Sequence, residues 1–419
     1  MSPLVQRLRV PFEYPVWFTR DVFSPSNPIL AQALARLNEH RRHRALVCVD
    51  NGLLLASPGL SARIARYFKA HSSTMELAGP IVRIAGGETA KNDLASVKRL
   101  LAAIANRHLC RHSFVVIVGG GSVLDAAGFA ASIAHRGLRV VRLPTTVVAQ
   151  NDVGVGVKTG IDMFGAKNFI GTFSPPFAVI NDLDFLLSLP QREWISGAAE
   201  AFKVALIEDA AFFRSLCAHA AALRRRDEAV METVVRRCAE LHLHHIRAGG
   251  DPFETGSARP LDFGHWSAHH LEVLSRYALL HGEAVSIGIA LDSYYAWRKR
   301  LIGRRALDAL LTALTTCGLP IYDPLLEHRK AGRLAILDGL ERFREHLGGE
   351  LTVTLPHPPG RRIEVHQMDA RVIAEGIRFL RITATHPPFP CRAGACAMPD
   401  TGAPQAAALQ RQNLHARKY

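Results

Sequence analysis

The sequence predicts an α/β domain with a mainly parallel sheet, followed by a mostly α-helical domain. Short apolar runs alternate with helical patterns through the first half of the chain, and a glycine-rich turn follows one of these runs. After Leu189-Pro190 the helical period dominates. Short buried strands separated by helices are typical of parallel sheets that are covered by helices on both faces.

Four apolar runs predict the buried strands of this sheet. They cover residues 46–49, 114–118, 140–143 and 178–180. The first run ends at Asp50-Asn51-Gly52, which is a turn signal. Between the first two runs, apolar residues recur at the spacing of one helical face, namely Val97, Leu100, Leu101 and Ile104. The alternation of strand and helix therefore begins near the start of the chain.

The second half of the chain has helical periodicity and one late strand. One helical stripe consists of Trp194, Ala198, Ala199, Phe202 and Leu206, and the strand covers residues 351–355. The sequence from residue 385 is rich in Pro, Ala, Gly and Gln and has no period, which is typical of disorder. We therefore predict an α/β domain over residues 1–189, a mostly helical domain over 190–384 and a disordered tail over 385–419.

Composition limits the partners and the location of the protein. The formal net charge of +14 favours an acidic partner, such as nucleic acid, an anionic membrane or a phosphorylated metabolite. The excess charge is scattered arginine without a nucleic-acid motif, and no stretch approaches the roughly 18 apolar residues of a membrane span. The seven cysteines form no CxxC pair, which favours reduced thiols. We expect a cytoplasmic protein that binds neither nucleic acid nor membrane.

A glycine turn follows the second apolar run directly, at Gly119-Gly120-Gly121-Ser122. Glycine lets the backbone approach a pyrophosphate closely and adopt positive φ, and the helix that follows points free N–H groups at the anion. The turn lacks the G-x-G-x-x-G spacing, so a merely tight turn is the alternative.

Two other segments fit the same nucleotide site. Glu88 and Lys91 lie on a short glycine-led loop and suit ribose hydroxyls and a phosphate. Thr145 and Thr146 follow the third predicted strand, at the sheet edge where ligands collect. The alternatives are an ordinary surface ion pair and a helix cap.

The helical half contains residues suited to a metal. Glu200 and Lys203 lie one turn apart on an apolar stretch, where charged groups require partners. His265 and His269 have i, i+4 spacing, and His281 begins another apolar helix. Glu200 with two of these histidines would give three ligands and an open position, the pattern of a catalytic zinc. The chain has 20 histidines, so some clustering is expected by chance.

A glycine-rich stretch between the two regions carries further polar residues. Asp152, Lys158, Lys167 and Asn168 make an anion-binding segment or, alternatively, a polar surface loop.

These segments together resemble the 3-dehydroquinate synthase family of sugar-phosphate cyclases. The resemblance runs from about Asp50 to Leu355 and keeps the family's order of segments. The segments include GGGSVLDAAGFAAS, LPTTVVAQND, VKTG, GAKNFIGTF, LPQREWISGAAEAFK, DFGHWSAH and LHGEAVSIGIA.

The resemblance implies a homodimeric enzyme that uses NAD and a zinc or cobalt ion. It acts on a heptulosonate or heptulose 7-phosphate as a carbon–oxygen lyase, through transient oxidation by NAD, phosphate elimination, return of the hydride and intramolecular aldol closure. The implied metal ligands are Glu200, His265 and His281. The implied catalytic residues are Asp152, Lys158, Lys203 and His269.

The resemblance also assigns the binding residues. The implied substrate contacts are Lys167, Asn168, Glu254, Arg259, Asp262 and, reaching the phosphate of the neighbouring subunit, Arg136. The implied NAD contacts are Asp50, Glu88, Lys91, Gly120, Gly121, Ser122, Asp125, Thr145 and Thr146.

The sequence departs from the family pattern just before His265. Asp262 stands where the family has Asn, and Ala258 stands where the family has an arginine for the substrate carboxylate, with Arg259 beside it. The family's upstream lysine is replaced near His244. These changes favour a substrate without that carboxylate, such as sedoheptulose 7-phosphate. A metal-dependent alcohol or polyol dehydrogenase and a non-catalytic binding protein are the remaining alternatives.

Overall fold

A seven-stranded parallel sheet organises the amino-terminal half of the molecule. The computed structural model describes residues 3–8, 10–92, 94–164, 166–249, 251–253 and 259–385. In chain order the strands of this half are β1 (Val16–Thr19), β2 (His43–Asp50), β3 (Met75–Leu77), β4 (Val82–Ile84), β5 (Phe114–Gly119), β6 (Arg139–Pro144), β7 (Lys158–Met163), β8 (Ala166–Phe173) and β9 (Ala178–Asp182). The helices are α1 (Ile29–Ala35), α2 (Asn51–Ala56), α3 (Leu60–Ala70), α4 (Ala95–Asn106) and α5 (Gly121–Ile133).

The sheet has the order β1-β9-β6-β5-β2-β3, and β4 pairs with β2 beyond β3. Alternate residues of β5 enter two different cores: Val115 and Ile117 pack on the α4 and α5 side, whereas Val116 and Val118 pack on the α1 and α3 side. The central strands are apolar throughout because both faces of the sheet are covered. The predicted fold class is confirmed for this half.

The carboxyl-terminal half is mostly helical, as predicted. Its helices are α6 (Gln191–Ser196), α7 (Ala198–Glu208), α8 (Ala210–Arg224), α9 (Glu228–Ala248), α10 (His265–Leu274), α11 (His281–Arg298), α12 (Arg304–Cys317), α13 (Asp338–His346) and α14 (Ala370–Thr385). Its strands are β10 (Arg329–Lys330), β11 (Arg333–Leu334), β12 (Val353–Pro356) and β13 (Arg362–Val365). None of the helices in the described part of the chain is long and apolar enough to cross a membrane.

Some elements differ from the sequence prediction. Asp50 does not lead into a simple turn, because its carboxylate accepts a hydrogen bond from Gly52 N (2.7 Å) and caps α2. Strands β7 and β8 pair as an antiparallel hairpin. The sequence analysis did not predict these strands, because glycines and mixed polarity interrupt the apolar pattern there. The late strand β12 begins at Val353. The division into domains at residue 190 stays a prediction, and the tail beyond Thr385 lies outside the described residues.

Helix α11 approaches the junction between α6 and α7 very closely at Gly282. A Cβ atom on Gly282 would lie 1.9 Å from the backbone oxygen of Ser196. We expect Gly282→Ala to lower the free energy of unfolding by about 2–3 kcal/mol, since backbone must move to admit the methyl group. Urea denaturation measures this loss. Gly59→Ala is the matched control, because a Cβ on Gly59 would meet nothing within 4 Å. Equal stability of the two variants would contradict the expected clash.

Candidate active site

The carboxyl ends of four parallel strands bring the predicted nucleotide residues to one edge of the sheet. Strands β2, β4, β5 and β6 end at Asp50, Ile84, Gly119 and Pro144. Gly120 is the N-cap residue of helix α5, with φ −73° and ψ 177°, and no side chain caps this helix. The uncapped N–H groups can therefore meet an anion at this edge.

The turn at residues 119–121 contains glycine because neighbouring side chains lie very close to its backbone, and not because the backbone has positive φ. A Cβ on Gly119 would lie 2.7 Å from Cγ1 of Val123 and 3.3 Å from Cβ of Asp50. None of Gly119, Gly120 and Gly121 has positive φ, so the freedom of glycine to adopt left-handed backbone is not used there. The adjacent Gly86 also leaves room, because its Cβ would lie 2.6 Å from Oδ2 of Asp50.

Both predicted threonines lie at this edge in different environments. Thr145 is buried, and its backbone N–H donates to Gly119 O (3.1 Å). Thr146 Oγ1 accepts from Ala149 N (3.2 Å), so Thr146 does act as a cap, which was the alternative interpretation. Ser122 lies half-buried in the first turn of α5.

Lys91 is buried in a cluster of carboxylates. Its Nζ lies 2.8 Å from Asp125 Oδ2 and 3.6 Å from Glu88 Oε1, and it donates to Asn168 Oδ1 (2.7 Å). Burial lowers the pKa of Lys91, but the carboxylates of Asp125 and Glu88 outweigh it and raise the pKa above its ordinary value. The Lys91 ammonium is therefore paired within the protein. Glu88, Asp125 and Asn168 surround it.

Lys167 connects the cofactor edge to the helical half. Its Nζ lies 2.9 Å from Glu88 Oε1 and 2.7 Å from Glu272 Oε1. The other oxygen of Glu272 lies 3.2 Å from Nδ1 of His281. A continuous series of charged groups thus runs from Asp125 to His281.

Glu200, His265 and His281 bring their ligand atoms together, as the sequence predicted. One atom from each residue lies within 4.8 Å of the others. Glu200 Oε1 lies 3.2 Å from His281 Nε2 and 3.9 Å from His265 Nε2. Glu200 is completely buried, yet neither carboxylate oxygen accepts a well-directed hydrogen bond. Oε2 pairs with Lys203, but Oε1 faces the two histidine nitrogens without a well-directed hydrogen bond, which fits a divalent cation at Oε1.

A second group, His269, Glu272 and His281, also has metal-ligand spacing. Its carboxylate pairs with Lys167, as the carboxylate of Glu200 pairs with Lys203. The Glu200 group is the better candidate, because Glu272 Oε1 accepts a directed hydrogen bond from Lys167 (2.7 Å), whereas no well-directed hydrogen bond reaches either oxygen of Glu200.

The hydrogen bonds of both histidine ligands leave Nε2 available. Nδ1 of His265 lies 3.1 Å from the Phe263 carbonyl, and Nδ1 of His281 lies 3.2 Å from Glu272 Oε2. When Nδ1–H donates to these acceptors, Nε2 of each ring keeps a lone pair for a metal. The acceptors thus fix the tautomers that metal binding needs.

Lys203 and Asp152 complete the polar core beside Glu200. Lys203 Nζ lies 2.5 Å from Glu200 Oε2 and 3.4 Å from Asp152 Oδ2. Burial raises the pKa of Asp152, but Lys203 and His242 outweigh burial and hold that pKa well below its usual range. Asp152 is therefore ionised at neutral pH.

His269 lies on the same face of α10 as His265. The ring centroids of these histidines are 5.1 Å apart. Burial, followed by the charges of His265 and Lys167, holds the pKa of His269 well below its ordinary value. A neutral imidazole at this position can accept a proton.

Asp262 lies among cationic groups of the site. Burial raises its pKa, but the positive charge of Lys158, followed by His265 and His269, outweighs burial and lowers the pKa. Lys158 is exposed at the start of β7, and Arg259 is half-buried just before the short 3₁₀ helix at Pro260–Asp262. Glu254 lies outside the described residues.

Arg136 is far from the chain's own site. It is exposed after α5, near the amino-terminal end of β6, whereas the nucleotide residues lie at the carboxyl ends of the strands. Residues 135 and 136 have positive φ (51° and 64°), which holds the arginine on a sharp turn.

The structure adds site residues that the sequence analysis missed. His242 Nδ1 lies 2.8 Å from Asp152 Oδ1, whereas His244, the expected replacement, is exposed. Arg142 is buried, and its guanidinium donates to the carbonyls of Gly156 (2.7 Å) and Lys158 (3.1 Å). Arg142 therefore orders the loop between Asp152 and Lys158. The only sequence signal was an arginine inside an apolar strand.

Comparisons with known proteins agree with this architecture. The family models for the 3-dehydroquinate synthase N-terminal and C-terminal regions match residues 81–196 and 197–337. The chain is 36% identical over 313 residues to a 2-epi-5-epi-valiolone synthase of Streptomyces glaucescens, covering 74% of this chain and 77% of the relative.

Solved structures show the same fold. The 2-epi-5-epi-valiolone synthase of Streptomyces hygroscopicus subsp. jinggangensis 5008, with NAD+ and Zn2+ bound, has a TM-score of 0.80 and 29% identity, covering 90% of this chain and 99% of that chain. A 2-deoxy-scyllo-inosose synthase complexed with carbaglucose-6-phosphate, NAD+ and Co2+ has a TM-score of 0.70 and 21% identity, covering 87% and 96%. The second likeness supports the fold alone. By sequence and by structure, the chain belongs to the 3-dehydroquinate synthase family of sugar-phosphate cyclases.

Proposed function

We propose that the protein is an NAD- and metal-dependent lyase that converts sedoheptulose 7-phosphate into a valiolone-type carbocycle with release of phosphate. The observation that carries the metal-dependent chemistry is the buried Glu200 carboxylate, whose Oε1 lies between two histidine nitrogens without a well-directed hydrogen bond. The NAD+ and Zn2+ of the related structure support the same cofactors here, with zinc or cobalt as the metal.

The residues present would divide the cofactor binding between the two halves. The edge formed by Asp50, Gly119 and Gly120 would hold the dinucleotide, and Glu200, His265 and His281 would hold the metal. When bound, NAD would take a hydride from a ring carbon that bears a hydroxyl group, whose proton leaves separately, and would later return the hydride, while the metal would act as a Lewis acid.

The chain's own side chains support elimination and ring closure. Neutral His269 can accept the proton from the carbon next to the oxidised centre, and phosphate then leaves with the electrons of its C–O bond. Lys158 is exposed at the site and can attract the phosphate. Lys203 and Asp152 form a buried ion pair that holds its charges fixed beside Glu200. A preorganised charge of this kind stabilises developing oxyanions.

Asp262 favours a substrate without a carboxylate. Its carboxyl group is ionised beside Lys158 and would repel the carboxylate of a heptulosonate. The family's arginine for that carboxylate is replaced by Ala258. Sedoheptulose 7-phosphate presents the same sugar phosphate without this charge.

We also infer a homodimer. Arg136 lies at the edge of the sheet opposite its own site, so its proposed phosphate contact requires a neighbouring copy.

The reaction class is tested by assaying phosphate and NADH together. Purified protein loaded with zinc is mixed with NAD and sedoheptulose 7-phosphate. A cyclase releases phosphate continuously without accumulating NADH, because the hydride returns to the sugar. Accumulation of NADH without phosphate would favour the polyol dehydrogenase alternative. Formation of neither phosphate nor NADH would favour a binding protein.

Replacement of Asp50 tests the dinucleotide edge separately. We expect Asp50→Ala to raise the NAD dissociation constant by about 10–100-fold, because a hydrogen bond to a charged group contributes roughly 1.5–3 kcal/mol. Isothermal titration with NAD measures this change. Asp184→Ala is a control, because Asp184 pairs with Arg20. A Kd for Asp50→Ala equal to that of the control would place the dinucleotide elsewhere.

A further inference from the structure

A buried carboxylate lies behind the metal-ligand group and contacts both neighbours of His265. Asp292, on α11, is completely buried. The indole N–H of Trp266 donates to its Oδ1 (2.8 Å), and the backbone N–H of Gly264 donates to its Oδ2 (3.1 Å). The residues immediately before and after His265 are therefore held by one side chain.

The backbones of α10 and α11 are in close contact at the same place. Gly264 has φ +78°, and a Cβ there would lie 2.8 Å from the backbone nitrogen of Ile289. A Cβ on Gly288 would lie 2.1 Å from the Gly264 oxygen. Because neither glycine position can accept a side chain, the first turn of α10 has little freedom to slide along α11.

Helix α11 thus determines the position of two proposed ligands. It carries His281 as its first residue and Asp292 three turns later. His281 is placed directly, whereas His265 is placed through the bonds of Asp292 to Gly264 and Trp266. Helix α11 therefore helps to set the distance between the imidazoles of His265 and His281.

Stability alone does not explain this arrangement. Among the described residues, no cation forms an ion pair with Asp292, and burial raises the pKa of Asp292 to about 7. A buried polar pair is often no more stabilising than an apolar pair of the same size. The two directed hydrogen bonds of Asp292 do, however, fix the orientation of Gly264 and Trp266 on either side of His265, which apolar contacts would not do.

We propose that Asp292 and Trp266 are positioning residues that hold His265 in the orientation required of a metal ligand. The inference rests on the metal site proposed above. It predicts that weakening this pair changes the affinity and the geometry of the metal site and does more than destabilise the fold.

Two conservative variants test the pair in the full-length protein. Asp292→Asn keeps the size of the side chain but puts an amide N–H₂ against one of the two donors. Trp266→Phe keeps an aromatic ring and removes the indole N–H together with the five-membered ring of the buried side chain. The control is Ser286→Ala, which removes the hydrogen bond that the buried Ser286, on the same helix, donates to the Pro320 carbonyl (2.7 Å).

Zinc affinity by chelator competition and the visible spectrum of the Co2+-loaded protein are the readouts. We expect both variants to raise the zinc dissociation constant by about 10–100-fold, as is typical when a group behind a ligand is lost. The ligand-field bands of Co2+ should also shift. Ser286→Ala should lower the melting temperature and leave the affinity and the spectrum unchanged.

His265→Ala separates failure of this inference from failure of the metal site. If His265→Ala binds zinc as tightly as the unmodified protein, the proposed ligand set is wrong. If His265→Ala abolishes binding while Asp292→Asn and Trp266→Phe behave like Ser286→Ala, the pair has only a structural role and the inference is overturned. Should Asp292→Asn fail to fold, Trp266→Phe decides, since it leaves Asp292 and its hydrogen bond to Gly264 in place.

Discussion

Glu200→Gln is expected to remove the metal and to lower the rate of phosphate release by at least about 10³-fold, because a Lewis-acid metal contributes several kcal/mol to such a reaction. Gln keeps the shape of the side chain but supplies no negative charge to a cation. The metal content of the dialysed protein should fall from about one ion per chain to a small fraction.

The control for this experiment lies on the same helix. Glu208 ends α7 and pairs with Arg362, outside the metal-ligand group. Glu208→Gln should retain both metal and activity. Retention of one metal per chain by Glu200→Gln, with a rate within tenfold of the unmodified protein, would contradict the assignment of Glu200.

Lys203→Met is expected to destabilise the metal-free protein by about 3–5 kcal/mol, because it leaves Glu200 and Asp152 as buried carboxylates without their cation. The lysine side chain is only 4% exposed and lies between the two carboxylates. Urea denaturation at pH 7 measures the loss. Saturation with zinc should recover part of it, since the metal supplies positive charge beside Glu200.

The pH dependence of this loss has a definite sign. Burial raises the pKa values of Asp152 and Glu200, but Lys203 outweighs burial and lowers both. Their contribution to stability is therefore present above the ordinary pKa of a carboxyl group, about 4, and is lost as the pH falls. Without Lys203 both pKa values rise, so the difference between the variant and the unmodified protein should shrink from pH 7 towards pH 5.

Lys299→Met is the matched control for the lysine. Lys299 forms an exposed ion pair with Asp369 (3.6 Å), and such pairs contribute roughly 0–1 kcal/mol. A destabilisation of Lys203→Met no larger than that of Lys299→Met would show that the buried charges are compensated in another way.

The strands that the sequence predicted are those buried on both faces. Continuous apolar runs marked β2, β5, β6 and β9, because central parallel strands contact helices on both sides. The hairpin β7–β8 carries Lys158 and Lys167 among glycines and apolar residues and therefore had no comparable run. Strand β1 is formed by pairing with β9, from which it is distant in the sequence. Such long-range pairing leaves little local signal.

The residues of the candidate site also differ in how well the sequence predicted them. Glu200, His265 and His281 were predictable because the residues around them match the family in order. Glu272, His242 and Asp292 were not, since each acts through a contact that only the tertiary structure creates. Lys91 and Lys167 were expected to meet ligands, yet each ammonium group is paired with carboxylates. The sequence showed the charges without showing their partners.

Asp262 and Ala258 bear on the choice of substrate, and one comparison tests it most directly. Phosphate release by the zinc- and NAD-loaded protein is measured with sedoheptulose 7-phosphate and, at equal concentration, with 3-deoxy-arabino-heptulosonate 7-phosphate. The proposal predicts at least about tenfold higher kcat/KM for sedoheptulose 7-phosphate, because a repelled and unpaired carboxylate costs on the order of 1.4 kcal/mol or more. A clear preference for the heptulosonate would contradict the proposed substrate and would indicate 3-dehydroquinate synthesis instead.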